Sequence, residues 1–322
     1  MPFISAWQRQ YGLRATSGAD LLAKLGIFTF GKVFYVDSTT GSNNNSGLQD
    51  TATDALATIA AANTLCTASK GDYIVCGPGH AETITAAAGI SLTKAGVTLL
   101  GLGRGTNRPT IGVGTATTAT FKITAANVAV QNFRFRAVTA QSLVKMIDVA
   151  EGNFTMEGCW FQGASTATFL VDNFIHLNTT YDDFVIRKCQ FFQGTDPDGT
   201  DGGANTGAIY IVDSENILID ECEFYGNFET ALIHNKTTAC KNLWVKDCRG
   251  YCALSGSEPF QLVDGATGGA FGGMFLTPAE AAATEATLVG TIGSGFFISP
   301  TCTFGNDSVS GGAGGIIVAT AS

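Results

Sequence analysis

The chain has 322 residues, 45% of them hydrophobic, at a mean hydropathy of +0.20, which excludes a disordered segment and demands a buried core. With 18 Lys and Arg against 27 Asp and Glu, the net charge is −9; no basic cluster stands out, so a nucleic-acid face is excluded. The longest apolar runs, such as residues 25–30, fall far short of the roughly 20 residues of a membrane span, and no basic stretch followed by an apolar one opens the sequence. Neither membrane insertion nor a cleaved export signal is expected.

In chain order, residues 1–32 hold a polar and aromatic stretch (Trp7 to Tyr11) and a short helical pattern over 17–25. They lie outside every later pattern and are expected to form an amino-terminal arm. Next come a strand at Val33 to Val36, a Gly/Asn/Ser loop over 41–47, a helix over about 54–67 and a strand over 72–76. Asp54 is the expected N-cap, with Leu56, Ile59, Ala60 and Cys66 on one helical face. Such a helix is placed to plug the open end of the repeats downstream of it.

From about residue 97 a nine-residue pattern recurs: Asn or Asp, apolar, x, apolar, x, x, Cys or Phe, x, Phe. It is readable at 127–135, 153–161, 183–191, 216–224 and 242–250. Its first apolar positions, Val97, Val128, Phe154, Phe184, Ile217 and Leu243, lie 31, 26, 30, 33 and 26 residues apart, a mean of about 29. Apolar residues at i and i+2, resuming at i+5 and i+7, describe two short strands joined by a one-residue bend. An upstream pair, such as Phe121 with Ile123 or Ile147 with Val149, supplies a third strand. Three strands in this length fit a coil that stacks in parallel on the next, and are too few residues for a propeller blade.

Stacking assigns roles. Asn127, Asn153, Asn216 and Asn242 are corner residues suited to left-handed backbone, forming an amide ladder that Asp183 interrupts. Cys159, Cys189, Cys222 and Cys248 form an internal sulfur column, and Phe135, Phe161, Phe191 and Phe224 a phenyl column. The nine cysteines are odd in number and include no CxxC, so they read as small buried hydrophobes rather than a disulfide framework or a metal site. Beyond about residue 256 the pattern decays into Gly/Ala/Thr-rich sequence with apolar strands over 295–299 and 314–319, read as closing coils and a tail.

Catalytic residues are sparse. Asp182, Asp183 and Arg187 are the candidates for an enzymatic reading, although adjacent strand residues point to opposite faces. In the loop over 195–203, Asp196, Asp198 and Asp201 are the candidate Ca²⁺ oxygens, without the closing Glu of an EF-hand; a solvated loop is the plainer reading, and no other cofactor is expected. Asp213, Glu215, Asp220, Glu221 and Glu223 read as a solvated acidic face.

The run from Phe34 to Asp37, the loop over 41–47, Ala57 to Ile59, Gly71 to Val75, Gly77 to Gly79, Glu82 to Ile84 and Gly96 to Gly101 resembles the amino-terminal portion of right-handed parallel β-helix proteins of the pectate-lyase-like superfamily. With the coils, the resemblance covers roughly residues 33–255. It implies an all-β, right-handed single-stranded parallel β-helix, three short strands and about 29 residues per coil, with an amino-terminal capping helix. The expected organisation is an arm (1–32), the capped β-helix (33–255), and closing coils with a tail (256–322). The superfamily carries lyases, hydrolases, adhesins and bacteriophage surface proteins, so fold does not decide activity. The Gly-His-Gly and Arg-Ile-Lys motifs of its hydrolase branch are absent: His80 sits in Gly-His-Ala and Arg187 in Ile-Arg-Lys. The expectation is a non-enzymatic virion structural protein of a tailed bacteriophage, located at the particle surface as a capsid decoration or tail component. It would be a homotrimer joined to other virion proteins through its terminal segments and in contact with host-surface glycan. The alternative is a polysaccharide lyase or hydrolase on the same fold.

Overall fold

A computed structural model describes residues 31–114, 116–138, 143–163, 171–178, 181–194, 205–235, 238–252, 257–278, 290–292, 294–307 and 316–318. Residues 1–30 of the amino-terminal arm, with its 17–25 pattern, and the Asp196, Asp198 and Asp201 loop lie outside them.

Among the described residues, three sheets run the length of the coil. The first has ten strands, from Val33–Val36 to Gly295–Ile298; the second ten, from Ala81–Ile84 to Ile316–Val318; the third eight, from Ile90–Leu92 to Gly290–Thr291. All pairings are parallel and join one coil to the next, except the last of the second sheet, where Ile316–Val318 runs antiparallel to Thr303–Asp307. This is a three-sheet parallel β-solenoid, consistent with the right-handed winding that parallel crossovers adopt. The strand Ile316–Val318 thus pairs with the chain's own second sheet and ends its parallel stacking.

In five successive coils two left-handed residues five positions apart delimit the first-sheet strand and keep it short. Asn127, Asn153, Asp183, Asn216 and Asn242 have φ of 51 to 66°, and five positions on, Asn132, Gly158, Lys188, Glu221 and Asp247 have φ of 48 to 62°. The first corner shows in the sequence as Asn. The second does not, since Gly, Lys, Glu and Asp share only the backbone conformation, and Glu221 is therefore a corner residue rather than an outward strand position. Asp183 stops the ladder: Asn242 Nδ2 donates to Asn216 Oδ1 (3.0 Å), and Asn216 Nδ2 donates to Asp183 Oδ1 (3.2 Å), with Asn153 and Asn127 outside the bonded row. A carboxylate ends the row as its final acceptor. Because a branched side chain is disfavoured at positive φ, Asn216→Val should lower stability by about 1–2 kcal/mol while Asn216→Gly stays near neutral; urea unfolding of the two variants checks this.

The inward residues make one continuous core. Phe135, Phe161, Phe191 and Phe224 stack with centroids 5.3, 4.7 and 4.9 Å apart and planes within 12°. Gly250 breaks the column, since a Cβ there would come within 2.3 Å of Leu232 Cδ1 and 2.7 Å of Phe275 Cδ1; Leu232 of the third sheet occupies that space. Cys159, Cys189, Cys222 and Cys248 are buried and unpaired as disulfides. Each thiol donates to the carbonyl two residues before it at 3.2–3.5 Å, closing the second corner. Burial, with the neighbouring thiols, pushes the Cys189 thiol well above the ordinary range.

At the amino-terminal end the helix spans Ile59–Leu65, shorter than 54–67, and Thr58 rather than Asp54 is its N-cap: Thr58 Oγ1 accepts from Ala61 N at 3.2 Å. Asp54 instead accepts from the Ser46 hydroxyl (2.6 Å) and Gln49 N (2.6 Å), which folds the 41–56 loop, and these bonds hold its carboxyl below the usual range. That loop covers Tyr35, Val75 and Leu100 on the outside of the first sheet in a second small core. His80 ties the cap together. Ser38 N donates to its Nδ1 (3.0 Å), so Nε2 carries the proton and donates to Glu82 Oε1 (2.7 Å), which also accepts from Ile59 N (2.8 Å). Ile59, Ala62 and Cys66 join the main core, and Asn63 Nδ2 donates to Thr93 Oγ1 (2.9 Å), docking the helix at the third-sheet end.

At the other end the described strands beyond residue 256 continue the same parallel stacking, with Thr267–Phe271 and Met274–Pro278 on the strands before them and Thr303–Asp307 on Met274–Pro278. Their pattern is obscured because Gly268 replaces an apolar residue: a Cβ there would lie 1.9 Å from Leu243 O, and φ is +133°.

Candidate functional site

The sequence candidates do not assemble. Asp182 Oδ1 accepts from Glu215 N (3.0 Å), Asp183 ends the amide ladder, and Arg187 donates to Glu157 Oε2 (2.9 Å) at the far end of its strand. At ~3.3 Å per residue, Asp183 and Arg187 sit roughly 13 Å apart. These three are therefore corner and surface-pair residues that the fold does not bring together in one site. The acidic run is likewise dispersed: Glu215 pairs with Lys241 (2.7 Å) and Glu223 accepts from Gln190 Nε2 (2.9 Å). Among the described residues, no three His, Cys, Asp or Glu side chains converge on a metal position.

What the coil does assemble is a pair of columns on the outside of the second sheet. The residue after each core Phe points outward, and parallel register stacks Gln162, Phe192, Tyr225, Tyr251 and Leu276 in one line. Phe192 is 38% and Tyr225 47% exposed, and the Tyr225 and Tyr251 rings lie 5.2 Å apart at 25°. The residue before each core Phe makes the second line: Arg134, Trp160, Gln190, Glu223, Arg249 and Met274. A shallow groove runs between the lines, walled by Phe192, Tyr225, Tyr251 and Met274 with Glu223 and Arg249 at its polar side. Large exposed apolar groups in a contiguous strip mark a contact surface. Extending the nine-residue pattern by one position would have revealed the aromatic column in the sequence.

A second cluster lies on the third sheet, whose strands present one outward residue between two core residues. Register stacks Lys122, Asp148, His176, Tyr210 and His234. Asp148 lies 2.9 Å from Lys145 Nζ, 3.9 Å from Lys122 Nζ and 3.4 Å from His176 Nδ1. Burial works to raise its carboxyl, but His176 and Lys145 outweigh it and hold the group below the usual range. Tyr210 packs edge-on to His176 (5.0 Å) and flat on His234 (4.8 Å), whose Nε2 is 2.7 Å from Asn173 Oδ1. Removing the carboxylate in Asp148→Ala leaves Lys145 and Lys122 without their partner and should lower stability by about 2 kcal/mol at pH 7. The folded carboxyl is depressed, so its contribution is present above the unfolded value and fades as pH falls through the folded one; urea titrations at pH 7 and pH 3 check both statements.

No known sequence family matches the chain, and no curated protein is similar to it in sequence. Three solved structures match it distantly. A rhamnogalacturonan lyase is 12% identical with a TM-score of 0.48, covering 86% of this chain and 88% of its own. The pectate lyase Pel9A is 11% identical at 0.46, covering 87% and 79%. The GH136 lacto-N-biosidase from Eubacterium ramulus is 11% identical at 0.40, covering 86% and 68%. The rhamnogalacturonan lyase and Pel9A are pectate-lyase-like β-helix proteins; none of the three says which residues of this chain act.

Proposed function

We propose that this chain is a polysaccharide-contacting β-helix protein that lays an extended glycan along the outer face of its second sheet. The observation that carries the reading is the line of exposed Phe192 and Tyr225 with half-buried Tyr251 beside the polar line of Gln190, Glu223 and Arg249. A pyranose has an apolar C–H face and a polar rim; a flat aromatic ring takes the face, and amide, carboxylate and guanidinium groups take the hydroxyls. The coil repeats this pairing every ~4.8 Å along its axis, which suits a polymer rather than a single sugar.

Binding without cleavage fits this face best. Across its described residues from Trp160 to Met274 the single carboxylate is Glu223, whereas hydrolysis of a glycosidic bond takes two facing each other. Placement on a phage particle and a trimeric state remain part of the proposal, supported by the sparsely charged, Gly-rich composition and by the resemblance over residues 33–255 to a superfamily that includes phage surface proteins; mass spectrometry of purified particles and light scattering test them.

The experiment is affinity electrophoresis against a panel of neutral and acidic polysaccharides, paired with an assay for new chain ends. The reading expects retardation by at least one glycan, about tenfold weaker binding for Tyr225→Ala and Tyr251→Ala, and no accumulation of ends. Unchanged binding by both variants overturns the site, and sustained release of ends moves the chain to the depolymerase alternative.

A further inference from the structure

Four arginines gather near the amino-terminal end of the second sheet in a chain that holds only 18 basic residues and is net acidic. Arg104 and Arg108 flank a short 3₁₀ turn at Gly105–Asn107, and Arg134 and Arg136 lie one strand further on, in Arg134–Ala137, beside Thr110–Val113. Arg134 is in direct register with Trp160, and the Arg108 guanidinium sits 4.2 Å from the Trp160 ring centroid. The two cations therefore share one aromatic neighbour.

Arg104 and Arg136 are exposed to solvent, whereas Arg108 and Arg134 are half-buried. Among the described residues no carboxylate lies within ion-pair distance of Arg108, Arg134 or Arg136; the arginine ion pair of the coil joins Arg187 to Glu157 instead. Arg108 Nη1 donates to Gly158 O (3.0 Å), and the Arg134 side chain has no hydrogen-bond partner among those residues. The Nε atoms of both are shielded from solvent and unpartnered. Burial, together with the neighbouring Arg134 charge, lowers the Arg108 guanidinium's hold on its proton. Neighbouring like charges with unused, shielded Nε–H groups are costly unless an anion completes them.

The geometry points to an oxyanion site in which Arg108 and Arg134 donate to one sulfate, phosphate or carboxylate group above the edge of Trp160. A planar guanidinium offers a fork of N–H donors that matches two oxygens of such a group, while the Trp160 face holds the Arg108 fork in orientation through its π-system. The site occupies a different part of the face from the aromatic groove, and it stands or falls without the glycan reading.

The test is isothermal titration of the purified chain with sodium sulfate, phosphate and acetate, with ionic strength held constant by sodium chloride, so that the three arms separate tetrahedral from planar oxyanions. The expected result is saturable one-to-one binding of at least one ion, weakened about tenfold or more in Arg134→Met and in Arg108→Met, partly restored in Arg134→Lys, and unchanged in Lys241→Met. A second readout guards against misfolding: relief of the unpartnered charge means that Arg134→Met melts no lower than the parent in chloride, while the ion raises the melting temperature of the parent alone. Absence of saturable heat with all three ions, or binding by both Met variants equal to the parent's, overturns the site. Unchanged ion binding in Tyr225→Ala separates this outcome from that of the glycan experiment.

Discussion

Replacing Phe191 by Ala is expected to lower stability by about 3–5 kcal/mol, the largest effect of any single truncation in the coil. Its ring lies between Phe161 at 4.7 Å and Phe224 at 4.9 Å, nearly parallel to both, with Phe174 of the third sheet at 6.1 Å. Truncation removes two stacked contacts at once and leaves a hole that the flanking coils cannot close, because their backbones are pinned by ladders on all three sides. Phe191→Leu refills most of that volume and should recover more than half of the loss. In a solenoid each coil contacts only its neighbours, so the damage divides the chain into two weakly coupled stacks. Urea unfolding followed by far-ultraviolet circular dichroism checks this: the Ala variant should show a broadened or two-step transition, and a sharp one with an unshifted midpoint contradicts the phenyl column as the core.

Asp50→Asn is expected to do the opposite, raising stability at pH 8 by an amount that approaches about 4 kcal/mol as a ceiling. Asp50 is 8% exposed, and burial together with the Asp37 carboxylate pushes its carboxyl up to about 7. A folded value above the unfolded one near 3.9 means that the native state holds an extra proton between the two. Stability from this group therefore falls as pH rises from about 4 to 7 and stays low above, at roughly 1.4 kcal/mol per pH unit. The Asn variant has no proton to lose, and its amide can donate to Asp37. Unfolding free energies of parent and variant measured from pH 4.5 to 8.5 should diverge steadily up to about pH 7; parallel curves contradict a buried, protonated Asp50.

The coil was legible because its information is local and repeated. Alternating apolar residues mark each strand, Asn marks the first corner, and Cys with Phe marks the inward turn beyond it. The second corner was not, since Gly158, Lys188, Glu221 and Asp247 have nothing in common that side-chain chemistry reveals. The capping helix was legible as an element but misplaced at its start, because Asp54 and Thr58 are both good caps and only the folded loop shows that Asp54 is taken by Ser46 and Gln49. The aromatic groove needed one more column of the same alignment. Arg108 was out of reach: it lies in a loop and reaches Gly158, fifty residues on, across two coils.

All nine thiols are buried in the folded chain, spread from Cys66 beneath the capping helix to Cys302 near the last coils. An alkylating reagent can reach one only when its own rung opens, so the order in which the nine are labelled would record how the stack frays, rung by rung and from which end. Few folds carry such a ruler within their own sequence, and here it needs no added probe.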